Sequence, residues 1–131
     1  MPRRVKFWRE QAGSSAAEFA MVLPVFLALT LGAINLGILL YINSTLHFAV
    51  EDAARCMSVK TTICDNIVDT RTHAATTFNF PSLSPVFTPV VAGGAAGSCN
   101  QVTGTATYRL NAVVTSISVP MSATSCYPIQ D

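Results

Sequence analysis

Apolar residues run almost without interruption from Phe19 to Ile42, and no side chain in that run ionises except that of Tyr41. At a helical rise of about 1.5 Å per residue the run spans roughly 36 Å, enough to cross a hydrocarbon core of about 30 Å with some tilt. Beyond Ile42 the pattern changes but does not stop. Leu46, Ala49, Val50, Ala53, Ala54 and Met57 recur at spacings of three and four, as on a helix with one apolar face. The pattern predicts one long helix. It starts at Ser14 or Ser15, where serine is a good N-cap, crosses the apolar run and continues as a stalk to about Met57. Pro24 removes one backbone hydrogen bond inside the run and is expected to kink the helix, which a membrane span tolerates.

Past the stalk the periodicity shortens. A second helix is expected from about Asp65 to Phe78, with Ile67, Val68, Ala74, Ala75 and Phe78 on one face. The prolines that follow limit Val86 to Ala92 to a short or edge strand, and Ala92 to Ser98 reads as a flexible turn. Val102, Gly104, Ala106, Tyr108, Leu110 and Ala112 then alternate with Thr103, Thr105, Thr107, Arg109 and Asn111. That period of two predicts a strand with a polar outer face. A last strand is expected from Ser118 to Tyr127, with Val119, Met121 and Ala123 on one side. The fold class is α+β: a long N-terminal transmembrane helix extending into a stalk, a second short helix and a small antiparallel β-sheet. The expected organisation is a leader over 1–13, the transmembrane and stalk helix over 14–57 and an extracytoplasmic domain over 58–131.

Charge orients the span. Arg3, Arg4, Lys6 and Arg9 all precede it, which holds the N-terminus in the cytoplasm and places the chain from about Asn43 outside. The whole chain carries a net charge of +1 and only 11% charged residues, so nothing points to nucleic-acid binding. A buried helix of a soluble protein is disfavoured, because so small a chain could not cover the apolar run on every side. A cleaved secretory signal would have a shorter apolar region ending in small residues of the A-x-A kind, whereas Gly32-Ala33-Ile34-Asn35 is a poor site.

The four cysteines, Cys56, Cys64, Cys99 and Cys126, all fall on the expected outer side. Their spacing matches no zinc signature. In an oxidising compartment an even number reads as two disulfides, with three possible pairings. Cys56–Cys64 and Cys99–Cys126 are favoured, since each pair lies within one expected structural unit. Eight residues of straight helix would hold Cys56 and Cys64 about 12 Å apart, so their pairing requires a turn between the two helices. An antiparallel strand pair brings the ends carrying Cys99 and Cys126 together. By loop entropy the two bridges stabilise by about 2.5 and about 3.5 kcal/mol.

A carboxylate at the edge of a span is costly unless it meets a cation or the head groups. Glu18 stands there, after four basic residues, Gly13 and four small residues, and before Phe19 and Pro24. This arrangement resembles type IV prepilins. Within that class "GSSAAEFAMVLPVFLALTLGAINLG" and the following "AVEDAARC" resemble the TadE-like minor pseudopilins of Tad (Flp) pilus systems. The resemblance is specific from Gly13 to Arg55 and loose beyond, where "GTATYRL" is similar to a family strand carrying a tyrosine. Two positions depart from it: residue 19 is Phe where many relatives have Tyr, and residue 35 is Asn where relatives often have Glu.

The resemblance implies a single-pass protein of a bacterial inner membrane, cut by a prepilin peptidase between Gly13 and Ser14. It implies as partners that peptidase, other pseudopilins and the pilin, the membrane platform proteins and the lipid bilayer. Cleavage would leave an ammonium on Ser14. Glu18 of one subunit could then meet the ammonium of another, which offsets the desolvation of both charges and specifies axial register. No cofactor, metal or catalytic residue is implied. Cys56 and His73 could be drawn as nucleophile and base, but no acidic group stands out to orient the histidine. Ala28 with Gly32 and Ala33 with Gly37 are pairs that permit close helix packing. The alternative is an uncleaved, signal-anchored periplasmic binding or scaffold domain, which has no need of Gly13 or Glu18.

Overall fold

The computed structural model describes residues 7–60, 62–93, 97–111 and 115–129. The expected turn at Ala92–Ser98 falls partly outside these, as do Ala112 and the basic residues Arg3, Arg4 and Lys6. The elements are helix α1 (Phe7–Val59), helix α2 (Ile67–Phe78), a short 3₁₀ turn (Pro81–Leu83), and strands β1 (Val86–Gly93), β2 (Cys99–Asn111) and β3 (Ser116–Pro128). This is the α+β architecture expected, with both disulfides formed as favoured. The chain divides into two compact units, Met1–Ile38 and Leu39–Asp131.

In the first unit α1 begins at Phe7, not at Ser14 or Ser15. The residues Phe7-Trp8-Arg9-Glu10-Gln11-Ala12 include no helix breaker, so nothing in them stops the helix before the serines. Pro24 lies inside α1. From Gly13 to Ile38 every described residue is exposed except Thr30, which is half-buried. Thr30 Oγ1 lies 3.0 Å from the carbonyls of both Phe26 and Leu27, and Asn35 Nδ2 donates to the Leu31 carbonyl at 2.8 Å. These bonds give two of the polar side chains in the apolar stretch a partner within their own helix, as a dry environment requires.

In the second unit the expected apolar stripe of α1 is the core. Ile42, Leu46, Ala49, Val50, Ala53, Ala54 and Met57 are buried, together with Phe78, Phe87, Val102, Ala106, Met121 and Ala123. The sheet is antiparallel in the order β1-β2-β3, so β2 is central. Its register places Gly104 opposite Phe87 on one side and Ala123 on the other. The inward and outward alternation of β2 and β3 follows the expected period of two. β1 is an edge strand, as Pro89 within it requires. Its pairing shifts between Val90 and Gly93, where Ala92 takes a left-handed backbone with φ +52°. Asn100 Oδ1 accepts from the Ala92 amide at 3.3 Å, and Asn100 Nδ2 donates to Ser58 Oγ at 3.0 Å. This buried asparagine therefore ties the irregular edge to the end of α1.

The face of α2 departs from expectation. Its buried residues are Thr70, Ala74 and Phe78, while Ile67, Val68 and Ala75 are exposed. Three residues four apart form a narrow line along one side of a helix, and Ile67 and Val68 lie off it. Thr70 tolerates burial because its hydroxyl donates to the Asn66 carbonyl at 3.0 Å. Asn66 also caps α2, its Oδ1 accepting from the amides of Val68 and Asp69, which satisfies donors the first turn leaves open.

Gly104 sets how closely α1 approaches the sheet. A Cβ at this position would stand 2.7 Å from Val50 Cγ1 and 2.9 Å from Phe87 Cε1. Gly104→Ala is therefore expected to destabilise the second unit by about 1–3 kcal/mol, the usual range for overpacking a filled core. Urea unfolding of the full chain in detergent measures it. A change under about 0.5 kcal/mol would show that Val50 and Phe87 can move aside.

Candidate functional site

Gly13, Ser14, Glu18, Phe19 and Pro24 all lie on α1, in its exposed first unit. Ser14 and Glu18 are four residues apart, so they stand on one face with a rise of about 6 Å between them. Helical side chains lean toward the N-terminus, which directs Glu18 back along the helix toward Ser14. Phe19 is 65% exposed, so its ring is free to meet lipid or another helix.

Gly13 is helical, with the chain continuing as helix on both sides. It does not take a left-handed backbone, and a Cβ built on it meets nothing within 4 Å. Among the described residues, neither conformation nor packing calls for glycine there. A glycine inside a helix costs about 0.5–1 kcal/mol relative to alanine. Its effect is to lower the helix stability around the Gly13–Ser14 bond.

The cysteines sit where the sequence placed them. Cys56 lies near the end of the buried stripe of α1 and Cys64 precedes the Asn66 cap, with their Cα atoms 5.8 Å apart. The turn between them is closed by amides of Ile63 and Cys64 donating to the Lys60 carbonyl, both at 3.0 Å. Both sulfur-bearing residues are buried, at 2% and 5% exposure. Cys99 and Cys126 bridge β2 and β3 with Cα atoms 5.6 Å apart.

One association escaped the sequence. His73 Nε2 on α2 lies 2.7 Å from Asp52 Oδ2 on α1. Asp52 is the acidic partner that the sequence did not reveal, because the two residues are 21 positions apart and meet only through the helix hairpin. The trio of Asp52, His73 and Cys56 is not a nucleophilic centre in this state, since Cys56 has no thiol while bonded to Cys64. A ring nitrogen of His73 and the two sulfurs nonetheless fall within 4.8 Å of one another.

Two surface grooves accompany these features. One of about 650 Å³ runs beside α2 and the start of β1, with Val68, Ala75, Pro81 and Val86 in its lining. The other, about 330 Å³, gathers Phe48, Glu51, Asp52 and Arg55 of α1 against Tyr127 of β3. Helix α1 from Gly13 to Val59 is long and apolar enough to cross a membrane by length and composition.

No curated protein and no solved structure matches the chain. Residues 13–55 match the family described as TadE-like protein. These residues run from the solvent-open glycine, through Glu18 and Pro24, to Arg55 at the buried end of α1. Over this segment the chain is similar to the TadE-like proteins, a family associated with Tad pilus systems.

Proposed function

We propose that the chain is a minor pseudopilin that takes part in assembling a Tad pilus and is cut between Gly13 and Ser14 by a prepilin peptidase. The observation that carries the reading is Gly13. It weakens α1 there, as Gly32 and Gly37 do further along, and no described residue packs against it. A peptidase must draw its substrate out of the helix to reach the bond, and glycine lowers the cost of doing so. Basic residues before the span hold the leader on the cytoplasmic side, where this peptidase class acts. The Leu39–Asp131 unit then stands in the periplasm, held together by disulfides that an oxidising compartment maintains.

After cleavage Ser14 becomes the N-terminus of α1. Its ammonium and the positive end of the helix dipole both favour a carboxylate in the first turns, which is where Glu18 lies. In an assembly, Glu18 of one helix pairs with the ammonium of a neighbour, a pilin or another pseudopilin, and mismatched registers leave both charges without partners. The first unit supplies assembly contacts through lipid-facing Phe19 and its apolar neighbours, and the second presents a folded surface to the platform proteins.

Intact-mass measurement on the chain from its native membrane, with and without an active prepilin peptidase, tests this. The expected result is loss of Met1–Gly13 only when the peptidase is active. A full-length chain in both cases would favour an uncleaved, anchored scaffold domain instead.

A further inference from the structure

We infer that the Leu110–Ile117 end of the β2–β3 pair is a second membrane contact. Leu110 and Ile117 enter the surface of the leaflet from which the Leu39–Asp131 unit rises, and Arg109 binds a lipid phosphate beside them. The inference rests on the reading of α1 as a membrane span. The apolar run from Phe19 to Ile42 is roughly 36 Å long against a hydrocarbon core of about 30 Å, so its last turn lies at the edge of the hydrocarbon. That turn, Leu39 to Ile42, already belongs to the folded unit, and Ile42 is buried in its core. One end of the unit therefore begins at the level of the lipid.

β2 runs down α1 toward that level. Asn100 Nδ2 donates to Ser58 Oγ at 3.0 Å, and Gly104 lies against Val50, where a Cβ would stand 2.7 Å from Cγ1. From Ser58 to Val50 the helix descends about 12 Å, and from Asn100 to Gly104 the strand covers about 13 Å. Helix and strand are thus antiparallel and advance at nearly equal pace. The same step again takes Val50 to Ile42 and Gly104 to Tyr108, which packs on the core. Leu110 follows Tyr108 on the same face, level with Leu39 or below it, and its register partner on β3 is Ile117.

The inner face of the sheet stays apolar past the point where protein covers it. Ala106 and its partner Met121 are buried, and the next inward pair, Tyr108 and Val119, is half-buried. Beyond them Leu110 is half-buried and Ile117 is 56% exposed. Lipid removes such a side chain from water where no protein does. Arg109 falls on the opposite face by strand alternation and is exposed. It is the only charged side chain among residues 86–130, and no acidic group among the described residues pairs with it. An arginine can lay its stem on apolar surface while its guanidinium forks onto a phosphate. A free anion would suit Arg109 but not Ile117. A bilayer supplies the apolar edge and the phosphates at one depth.

The test is tryptophan fluorescence of the full chain, held singly in nanodiscs of phosphatidylcholine and phosphatidylglycerol, with brominated acyl chains as quencher. Trp8→Phe removes the native tryptophan, and Phe26→Trp, Ile117→Trp or Thr124→Trp supplies one probe. Ile117 is exposed, so its replacement leaves the core filled. Phe26→Trp is expected to be quenched most by bromine deep in the chains. Ile117→Trp is expected to be quenched most by bromine near the glycerol, with blue-shifted emission. Thr124→Trp, about 23 Å further along β3, should not be quenched. Adding Arg109→Gln to Ile117→Trp should lower the ratio of docked to free ends about fivefold, the effect of one basic residue at an anionic surface, and Arg109→Lys should retain it. An Ile117 probe that stays in water while the Phe26 probe is quenched overturns the inference and leaves the span standing. An unquenched Phe26 probe removes the span and the inference together. Quenching at Ile117 that ignores Arg109→Gln, or equal quenching at Thr124, also overturns it.

Discussion

Phe78→Ala is expected to remove about 3–5 kcal/mol from the stability of the Leu39–Asp131 unit. A small domain has about 5–15 kcal/mol in total, so the variant would stand near the edge of unfolding. The reason lies in what the ring joins. Phe78 is fully buried at the end of α2. It packs edge-on against Phe80, with centroids 5.3 Å apart, and against Phe87 of β1 at 6.1 Å. Phe80 in turn meets Tyr41 of α1 at 6.0 Å. Four aromatic rings thus run from α1 through the turn after α2 to the edge strand, and Phe78 is inside that row. Removing it takes away its own transfer free energy, leaves a cavity between three elements, and breaks two ring contacts of a kind each contributing about 0.5–1.5 kcal/mol. Urea unfolding with both disulfides intact measures the loss. Phe80→Ala, at a half-buried site in the same row, should lose less. A Phe78→Ala loss below about 1.5 kcal/mol would mean that the neighbouring rings collapse into the space.

That row of rings also marks the limit of what the sequence discloses. The stripe from Leu46 to Met57 was legible because helical periodicity is visible in one stretch of chain, and the same holds for β2 and β3 with their alternation. The disulfides followed from those elements, since a helix hairpin and an antiparallel pair each bring two cysteines together. Features made by distant residues were not legible. Asp52 and His73 read as ordinary polar positions until the hairpin brings them to 2.7 Å. On α2, apolarity alone pointed to Ile67 and Val68, but the narrow contact line selected Thr70, whose hydroxyl has a local acceptor. The left-handed backbones at Asn79, Ser84 and Ala92 were equally hidden, because serine and alanine give little local signal for that conformation. In the first unit the case is reversed. The sequence pattern from Gly13 to Pro24 is distinctive, yet its side chains are exposed, so packing among the described residues does not account for them.

Glu18→Ala tests that last point most directly, and it is expected to reduce incorporation of the chain into its pilus assembly complex at least about tenfold while leaving cleavage after Gly13 intact. The two outcomes separate because they use different features. Under the proposed function, cleavage depends on unwinding at Gly13 and on presentation of the leader, and alanine at residue 18 keeps the helix beyond the bond. Incorporation, under the proposed function, depends on a charge pair. The ammonium of each processed helix would, under that same proposal, enter a packed bundle at the membrane edge, where a charge without a partner is strongly disfavoured. On that reading, removing Glu18 leaves the ammonium of the neighbouring helix with nothing to meet, and breaking one half of a desolvated pair is more disruptive than never having had it. Glu18→Asp should recover part of the loss, because the charge remains on a shorter reach, and Glu18→Gln should recover little, because size returns without charge. The measurement is the fraction of chain co-purifying with pilus components from solubilised membranes, beside intact mass to score cleavage. Normal incorporation of the alanine variant would make Glu18 an interfacial residue with no role in register. Failure of cleavage in that variant would move the glutamate from assembly to recognition by the peptidase.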